Sequence, residues 1–184
     1  MLRFLVILFI LNFYNTAFSS VKEKIISQMK LTNILSFNFI QKIDEKNENG
    51  SCIIKYPKKI FCKYFGSNKK IMVSNGKSLV IKIKNSGNYY IYPLNKTPLE
   101  LLLDKEYLIS KMTTLEARNV NNRFLTFKIF ENENEINIFF DNKSFNLVGW
   151  QTKDIYQNLS ITFISSVKIN EKIDDKIFIL PENN

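Results

Sequence analysis

The chain has two cysteines, Cys52 and Cys62, and both lie in the stretch GSCIIKYPKKIFCKY, residues 50–64. A thiol pair can ligate a metal, cycle between redox states, staple two segments or simply fill core space. The sequence contains no histidine. That excludes Ser-His-Asp and Cys-His nucleophilic sites, which need an imidazole base. Histidine-ligated zinc is excluded too, and two thiolates alone make a poor cage for an ion that takes four ligands. Carboxylate, lysine or tyrosine chemistry stays open, but no spacing marks it. No metal site, no cofactor and no catalytic residue is therefore expected. Redox exchange, a staple and core filling remain as readings of the cysteines.

The elements that must position these residues begin with an address. The first residues, MLRFLVILFILNFYNTAFSS, carry one early positive charge at Arg3, an apolar run from Phe4 to Phe13, and small residues at Ala17 and Ser19. This is the composition of a signal peptide over residues 1–19. The run is shorter than the about 20 apolar residues of a spanning helix, so export with cleavage is expected over a membrane anchor. No cysteine stands at the cleavage region, so no lipid anchor is expected there. What remains, residues 20–184, is long enough for one domain, and with 45% hydrophobic residues the chain should fold around a core. In an exported protein thiols tend to pair.

The exported part opens with Val21, Ile25, Ile26 and Met29 near helical spacing, which predicts an amphipathic helix over residues 20–31. Period-2 alternation then takes over in SFNFIQKID, SCIIKY, IFCKYF, KIMVS, SLVIKIK and NYYIYP. It returns in RFLTFKIF, INIFFD, FNLVGWQ and LSITFISSVKI. Asn75-Gly76 marks a hairpin, because both residue types tolerate positive φ. In the last segment Leu159, Ile161, Phe163, Val167 and Ile169 share one face, Ser160, Thr162, Ser166 and Lys168 the other, and Ile164 is an exception. About ten short strands separated by turn signals predict one large antiparallel sheet, a barrel or a sandwich. One segment breaks the pattern. NKTPLELLLDKEYLISK places Thr97 at the N-cap, Pro98 at N1 and Glu100 at N3, a capping box that predicts a helix over about residues 97–111. A helix this apolar must bury itself, across a sheet face or the mouth of a barrel.

The formal net charge is +9. Its lysines mostly alternate with apolar residues along the strands, which fits a solvated outer face better than the clustered patch of a nucleic-acid binder.

The order of these features resembles the periplasmic outer-membrane lipoprotein carrier family, LolA, over roughly residues 21–182. SFNFIQK is similar to the family's Phe-x-x-x-Gln, with the glutamine at Gln41. GSCIIKYPKKIFCKY is similar to its Gly-x-apolar-x-apolar-x-Arg-Pro-x-x-Phe-x-Trp hairpin, with Gly50 and Pro57 matching directly. VSNGKSL resembles its Ser-Asp-Gly-Lys-x-Leu turn, KTPLELLL its Thr-Pro-x-x-Leu-Leu helix, and FILPEN its Phe-x-x-Pro close. The resemblance implies a mainly β fold with some α: an open, incompletely closed antiparallel β-barrel of about eleven strands under an α-helical lid. Acyl chains would occupy the space between lid and sheet.

Parity within this fold assigns Phe37, Phe39, Ile54, Ile60 and Tyr64 to the lipid-binding face. Leu79, Ile81, Ile161 and Phe163 complete it. Leu99, Leu102 and Leu103, carried behind Thr97 and Pro98, would be the lid contacts. Ile53, Phe61 and Phe65 make the opposite face of the hairpin apolar as well, so a helix or a partner is expected over it. Two departures stand out. The family's arginine before the proline, linked to lid closure, is replaced by Tyr56 with Lys55 beside it, and its tryptophan position is Cys62. A phenol lacks the guanidinium fork. The aligned hairpin turns near Pro57, so Ile54 faces Ile60 and Cys52 faces Cys62. A cross-strand disulfide is then expected, with two reduced core thiols as the alternative.

The implied function is a periplasmic carrier, not an enzyme. It would take acylated lipoproteins from an inner-membrane lipoprotein-releasing ABC transporter (LolCDE-like) to an outer-membrane acceptor (LolB-like), as a monomer with no nucleic-acid partner. The main alternative is a periplasmic sensor or scaffold domain of the same fold that binds lipid or lipoprotein without ferrying it. An acceptor relative and a carboxylate hydrolase are further rivals.

Overall fold

The computed structural model describes residues 20–66, 68–131, 134–154 and 157–183; the expected signal peptide lies outside them. The alternating segments become eleven antiparallel strands. The first half of the chain forms β1 (Ile34–Ile43), β2 (Lys46–Lys55), β3 (Lys59–Phe65), β4 (Lys70–Asn75), β5 (Ser78–Ile83) and β6 (Asn88–Pro93). The second half forms β7 (Arg118–Val120), β8 (Phe124–Glu131), β9 (Asn134–Asp141), β10 (Leu147–Lys153) and β11 (Leu159–Ile169). Their order in the single sheet is β6-β5-β4-β3-β2-β1-β11-β10-β9-β8-β7. Each half is a meander of neighbours, and the pairing of β1 with β11 joins them. The sheet does not close: β6 and β7 are its two edges. The three-residue β7 has too little alternation to be legible in the sequence.

Helix α1 (Val21–Leu31) precedes β1, as its spacing predicts. Ser20 and Glu23 form its capping box: the Ser20 hydroxyl accepts from the Glu23 amide at 3.2 Å, and the Glu23 carboxylate accepts from the Ser20 amide at 2.7 Å. Between β6 and β7 the expected single helix is instead two. A 3-10 turn (Leu94–Lys96) leads into α2 (Leu99–Leu103), and α3 (Lys105–Thr114) follows after a break at Asp104. The capping box expected at Thr97 does not form. The Thr97 hydroxyl donates to the Leu94 carbonyl at 2.8 Å, and the Glu100 carboxylate turns to Lys58. Asp104 takes over as a cap, accepting from the Tyr107 amide at 3.1 Å.

The core lies between the helices and the inner face of the sheet, and includes Ile25, Leu35, Leu103, Met112, Phe127 and Ile136. A second packed layer lies on the outer face. There Val73 and Val80 are buried, and the 3-10 turn Asp175–Phe178 rests against β3 and β4 with Phe178 buried. Lys55 pairs with Asp175 at 2.6 Å, and the Lys59 ammonium lies 5.9 Å from the Phe178 ring centre. The chain's own C-terminal segment therefore lies over the outer side of the hairpin, where a helix or a partner was expected.

Strand β11 departs from its apparent parity. Ser160, Thr162 and Ile164 are buried, while Leu159 and Phe163 are exposed. The β1–β11 register shifts between Ser36 and Asn38, and Ser166 has φ of 52°. That bulge flips the alternation, so Val167 packs on the core although Phe163, four residues earlier, does not. Ile164, the exception to simple alternation, marks this flip.

In the β2–β3 hairpin, Ile54 faces Ile60 and Cys52 faces Cys62. The two cysteines form a disulfide, with Cα atoms 4.1 Å apart. Gly50 lies opposite Phe39, and a Cβ there would come within 2.7 Å of the Phe39 ring and 2.3 Å of the Lys63 carbonyl. The glycine lets the ring lie against the hairpin. The disulfide closes a short loop of sequence separation 10, which in the chain-entropy account stabilises by about 2–3 kcal/mol. The double variant Cys52→Ala/Cys62→Ala should lose that much in denaturant unfolding. A midpoint unchanged from the native chain would show that the bond contributes nothing.

Candidate functional site

Because the inner face of the sheet is concave and the helices span it, a space remains between them. It is a cavity of about 480 Å³, within the range of about 300–1,000 Å³ typical of ligand pockets. Its apolar end is built from β1, β3 and β5 under α2. Phe37, Phe39, Ile60, Tyr64, Leu79 and Ile81 all line it. The Cys52–Cys62 disulfide forms part of the same wall. From the lid come Thr97, Pro98, Leu99 and Leu102. Edge-to-face contacts hold the aromatic rings: Phe39 on Tyr64 at 5.0 Å and Phe37 on Trp150 at 5.9 Å.

Three expected residues lie elsewhere on the sheet, and one on the lid. Ile54 and Leu103 are packed directly beneath the helices, in a small void of about 20 Å³ outside the main cavity. Ile161 pairs with Lys42 and Gln151 on the outer face, and Phe163 is 46% exposed there. Phe163 stacks on Phe139 at 5.9 Å and lies 6.2 Å from Phe124. The bulge in β11 is the reason: ahead of it, the hydroxyl side of the strand faces in and the apolar side faces out.

Sequence reasoning missed Trp150, the chain's one tryptophan, which is 9% exposed in the cavity wall. It also missed the polar end of the cavity. Gln41, Thr152, Ser160 and Thr162 line it, and Lys70 and Glu48 pair beside them at 2.6 Å. The alternation of Ser160 and Thr162 in β11, noted but assigned to the face opposite the lipid, was the available signal.

Polar contacts tie the lid down, and Lys58 and Lys105 each make several of them. Lys58, in the β2–β3 turn, bonds Glu100 at 3.0 Å and approaches Asp104 at 3.4 Å. Its amide donates to the Leu103 carbonyl at 2.9 Å. Lys55, beside Tyr56 in sequence, faces Asp175 on the opposite side. The hydrogen bond from Lys58 to Glu100 raises the Lys58 ammonium above its ordinary pKa of 10.5. The second tie is Lys105, 8% exposed at the start of α3. Its ammonium donates to the Lys30 and Thr32 carbonyls and the Asn33 side-chain oxygen at 3.0–3.1 Å. It thereby caps the C-terminal end of α1, where the helix dipole favours a cation. Tyr56 does touch the lid: its ring lies 5.8 Å from the Lys105 ammonium. Burial pushes the Tyr56 phenol up to about 12.

Tyr56 and Lys58 both contribute stability to the fold that is lost at alkaline pH. The unfolded chain releases the Tyr56 proton near 10.0, whereas the folded chain holds it to about 12. Its stabilisation is therefore complete below 10.0 and lost as pH rises through about 12. Lys58 has the same sign, its contribution being lost as pH rises through a folded value above 10.5. Phenolate absorbance should show late-titrating tyrosine in the folded protein and none in denaturant, with the unfolding midpoint falling over that window. A flat midpoint there would count against burial of Tyr56. Replacing Lys58 with methionine removes a partly exposed ion pair worth about 1 kcal/mol. Amide exchange in α2 should then speed up roughly fivefold, with β8–β11 unchanged. Equal exchange in α2 would show that Lys58 holds nothing shut.

No helix among the described residues is long and apolar enough to cross a membrane. No curated protein matches the chain. Among solved structures, an uncharacterized conserved protein from Thermus thermophilus superposes with a TM-score of 0.52 at 6% identity, covering 89% of this chain and 96% of that one. MucB superposes with a TM-score of 0.50 at 7% identity, covering 92% of this chain, which spans 65% of MucB. A LolA superfamily protein from Nitrosomonas europaea gives 0.46 at 6% identity, covering 86% of this chain and 97% of that one. At these identities the likeness is one of fold. The sequence model of the family described as outer membrane lipoprotein carrier protein LolA matches residues 30–180. With most of its length matched, the chain belongs to the LolA family.

Proposed function

We propose that this protein is a periplasmic carrier that holds the acyl chains of lipoproteins between its sheet and its lid, and conveys them from the inner to the outer membrane. The observation that supports this reading is the cavity itself. Apolar side chains line one end, and the short helix α2 with the Thr97-Pro98 step before it lies over it. A protein in water can hold a lipid chain only by offering it a dry surface, at about 0.8 kcal/mol for each buried CH₂. Leu99 and Leu102 line the cavity from above, so a long chain displaces them as it enters. The contacts to be broken are few and polar at Lys58, which keeps the cost of opening small.

Direction of transfer follows relative affinity, since no bond in the cargo is made or broken. A LolCDE-like transporter would load the cavity, and a LolB-like acceptor offering a drier site would empty it. Residues 1–19 would direct export and leave a single domain over 20–184. The sensor or scaffold reading shares the cavity but not the delivery partners.

Mass spectrometry of the protein purified from its native periplasm tests the carrier reading. Acylated lipoprotein bound at about one per chain is expected from a single cavity; empty protein that takes up no acylated peptide would sink it. Capture by inner-membrane transporter components separates carrier from scaffold. Trp150 provides an optical check, because it stands in the cavity wall. Its emission should shift when an acylated peptide binds. Leu102→Asp should weaken that binding by about ten- to a hundredfold, the value of one buried leucine; unaltered affinity would remove α2 from the site.

A further inference from the structure

One end of the cavity does not suit hydrocarbon. Gln41 on β1, Ser160 and Thr162 on β11, and Thr152 on β10 face it side by side. The strand pairing puts them in register: Gln41 opposite Thr162, and Thr152 opposite Ser160. Ser160 is 3% exposed, Thr162 2% and Thr152 9%. The Gln41 amide donates to the Ser160 hydroxyl at 2.9 Å and to the Thr162 hydroxyl at 3.0 Å. Both hydroxyls act as acceptors in those contacts, so their own protons remain to be donated. The Thr152 hydroxyl has no hydrogen-bond partner among the described residues. A buried orphan of this kind costs the fold its desolvation penalty, so it calls for an explanation.

We propose that this cluster is a subsite for the carbonyl groups of the bound lipid, the ester or amide linkages that join acyl chains to their backbone. Three hydroxyls with protons to give form a neutral, donor-rich surface, which matches uncharged carbonyl acceptors better than an anion. The layout gives the ligand a direction. Hydrocarbon lies toward Phe37, Ile60 and Leu102, and the linkage lies toward the β1–β2 turn. Lys46 and the Lys70–Glu48 pair border the cavity there, where a polar headgroup can leave it. The protein therefore discriminates acylated from alkylated lipid. The proposal rests on the acyl-binding reading of the cavity.

A matched pair of probes tests it: monolauroylglycerol, which has an ester carbonyl, and its ether analogue dodecylglycerol, which has none. Trp150 emission reports binding of both. The native protein should bind the ester about tenfold more tightly, the value of one well-made hydrogen bond. Thr152→Val should bring the ratio close to one by weakening ester binding far more than ether binding. Its thermal midpoint should not fall, because the change removes an unpaired buried hydroxyl. Ser160→Ala should reduce the ratio as well. Equal binding of ester and ether by the native protein overturns the subsite and leaves the carrier intact. An ester preference that survives both substitutions overturns the assignment to these residues. Binding of neither probe removes the acyl cavity, and the subsite with it.

Discussion

The constraint on which the molecule depends is topological. Strands β6 and β7 follow one another in the chain, yet they are opposite edges of the sheet. The connection between them has to cross a whole face. On the concave side it cannot cross as bare loop, because its amides and carbonyls would be buried without partners. Helical structure satisfies them internally, and the leucines of α2 turn the crossing into a roof. The lid is thus the link that lets two meanders share one sheet, and the cavity is the space it leaves unfilled.

A crossing of this kind needs anchoring at points that side chains can reach. Lys105 supplies the deepest. Its ammonium sits on the carbonyl end of α1 and donates to three neutral oxygens, so a buried charge is accommodated through helix-end dipoles and hydrogen bonds. Nearer the rim, Tyr107 and Lys111 both reach Glu131 on β8, at 2.9 and 2.7 Å. Their hydrogen bonds, that of Lys111 foremost, hold the Glu131 carboxyl below its usual range. The anchoring is graded: α3 is bound to α1 and β8, while α2 is held at Lys58 and by its leucines.

Much of this was legible in the sequence because it is local. Alternation locates ten of the strands, the register of the Cys52–Cys62 hairpin follows from its turn, and the motifs between Phe37 and Leu103 suggest the family. What failed is non-local or irregular. Counting by twos cannot see a bulge, so Ile161 and Phe163 were placed inside when Ser160 and Thr162 are there. Capping rules cannot see that Lys58, distant in sequence, takes Glu100 away from Thr97. Replacement of the family arginine by Tyr56 drew attention to the residue before Pro57, whereas the ionic contact to the lid comes from Lys58, just after it.

The C-terminal segment gives the hairpin a second role. β2 and β3 are stapled to each other by the disulfide, and their outer face is gripped by Asp175 and Phe178 while the turn between them meets the lid. A wall fixed from behind does not yield when something pushes from the front. Deformation therefore concentrates in the part with the weakest attachments, the five-residue α2. For the proposed cargo the sheet would be an anvil and the short helix a compliant jaw, so that differences in cargo size would be taken up by one part while the shape of the surface it meets stays constant.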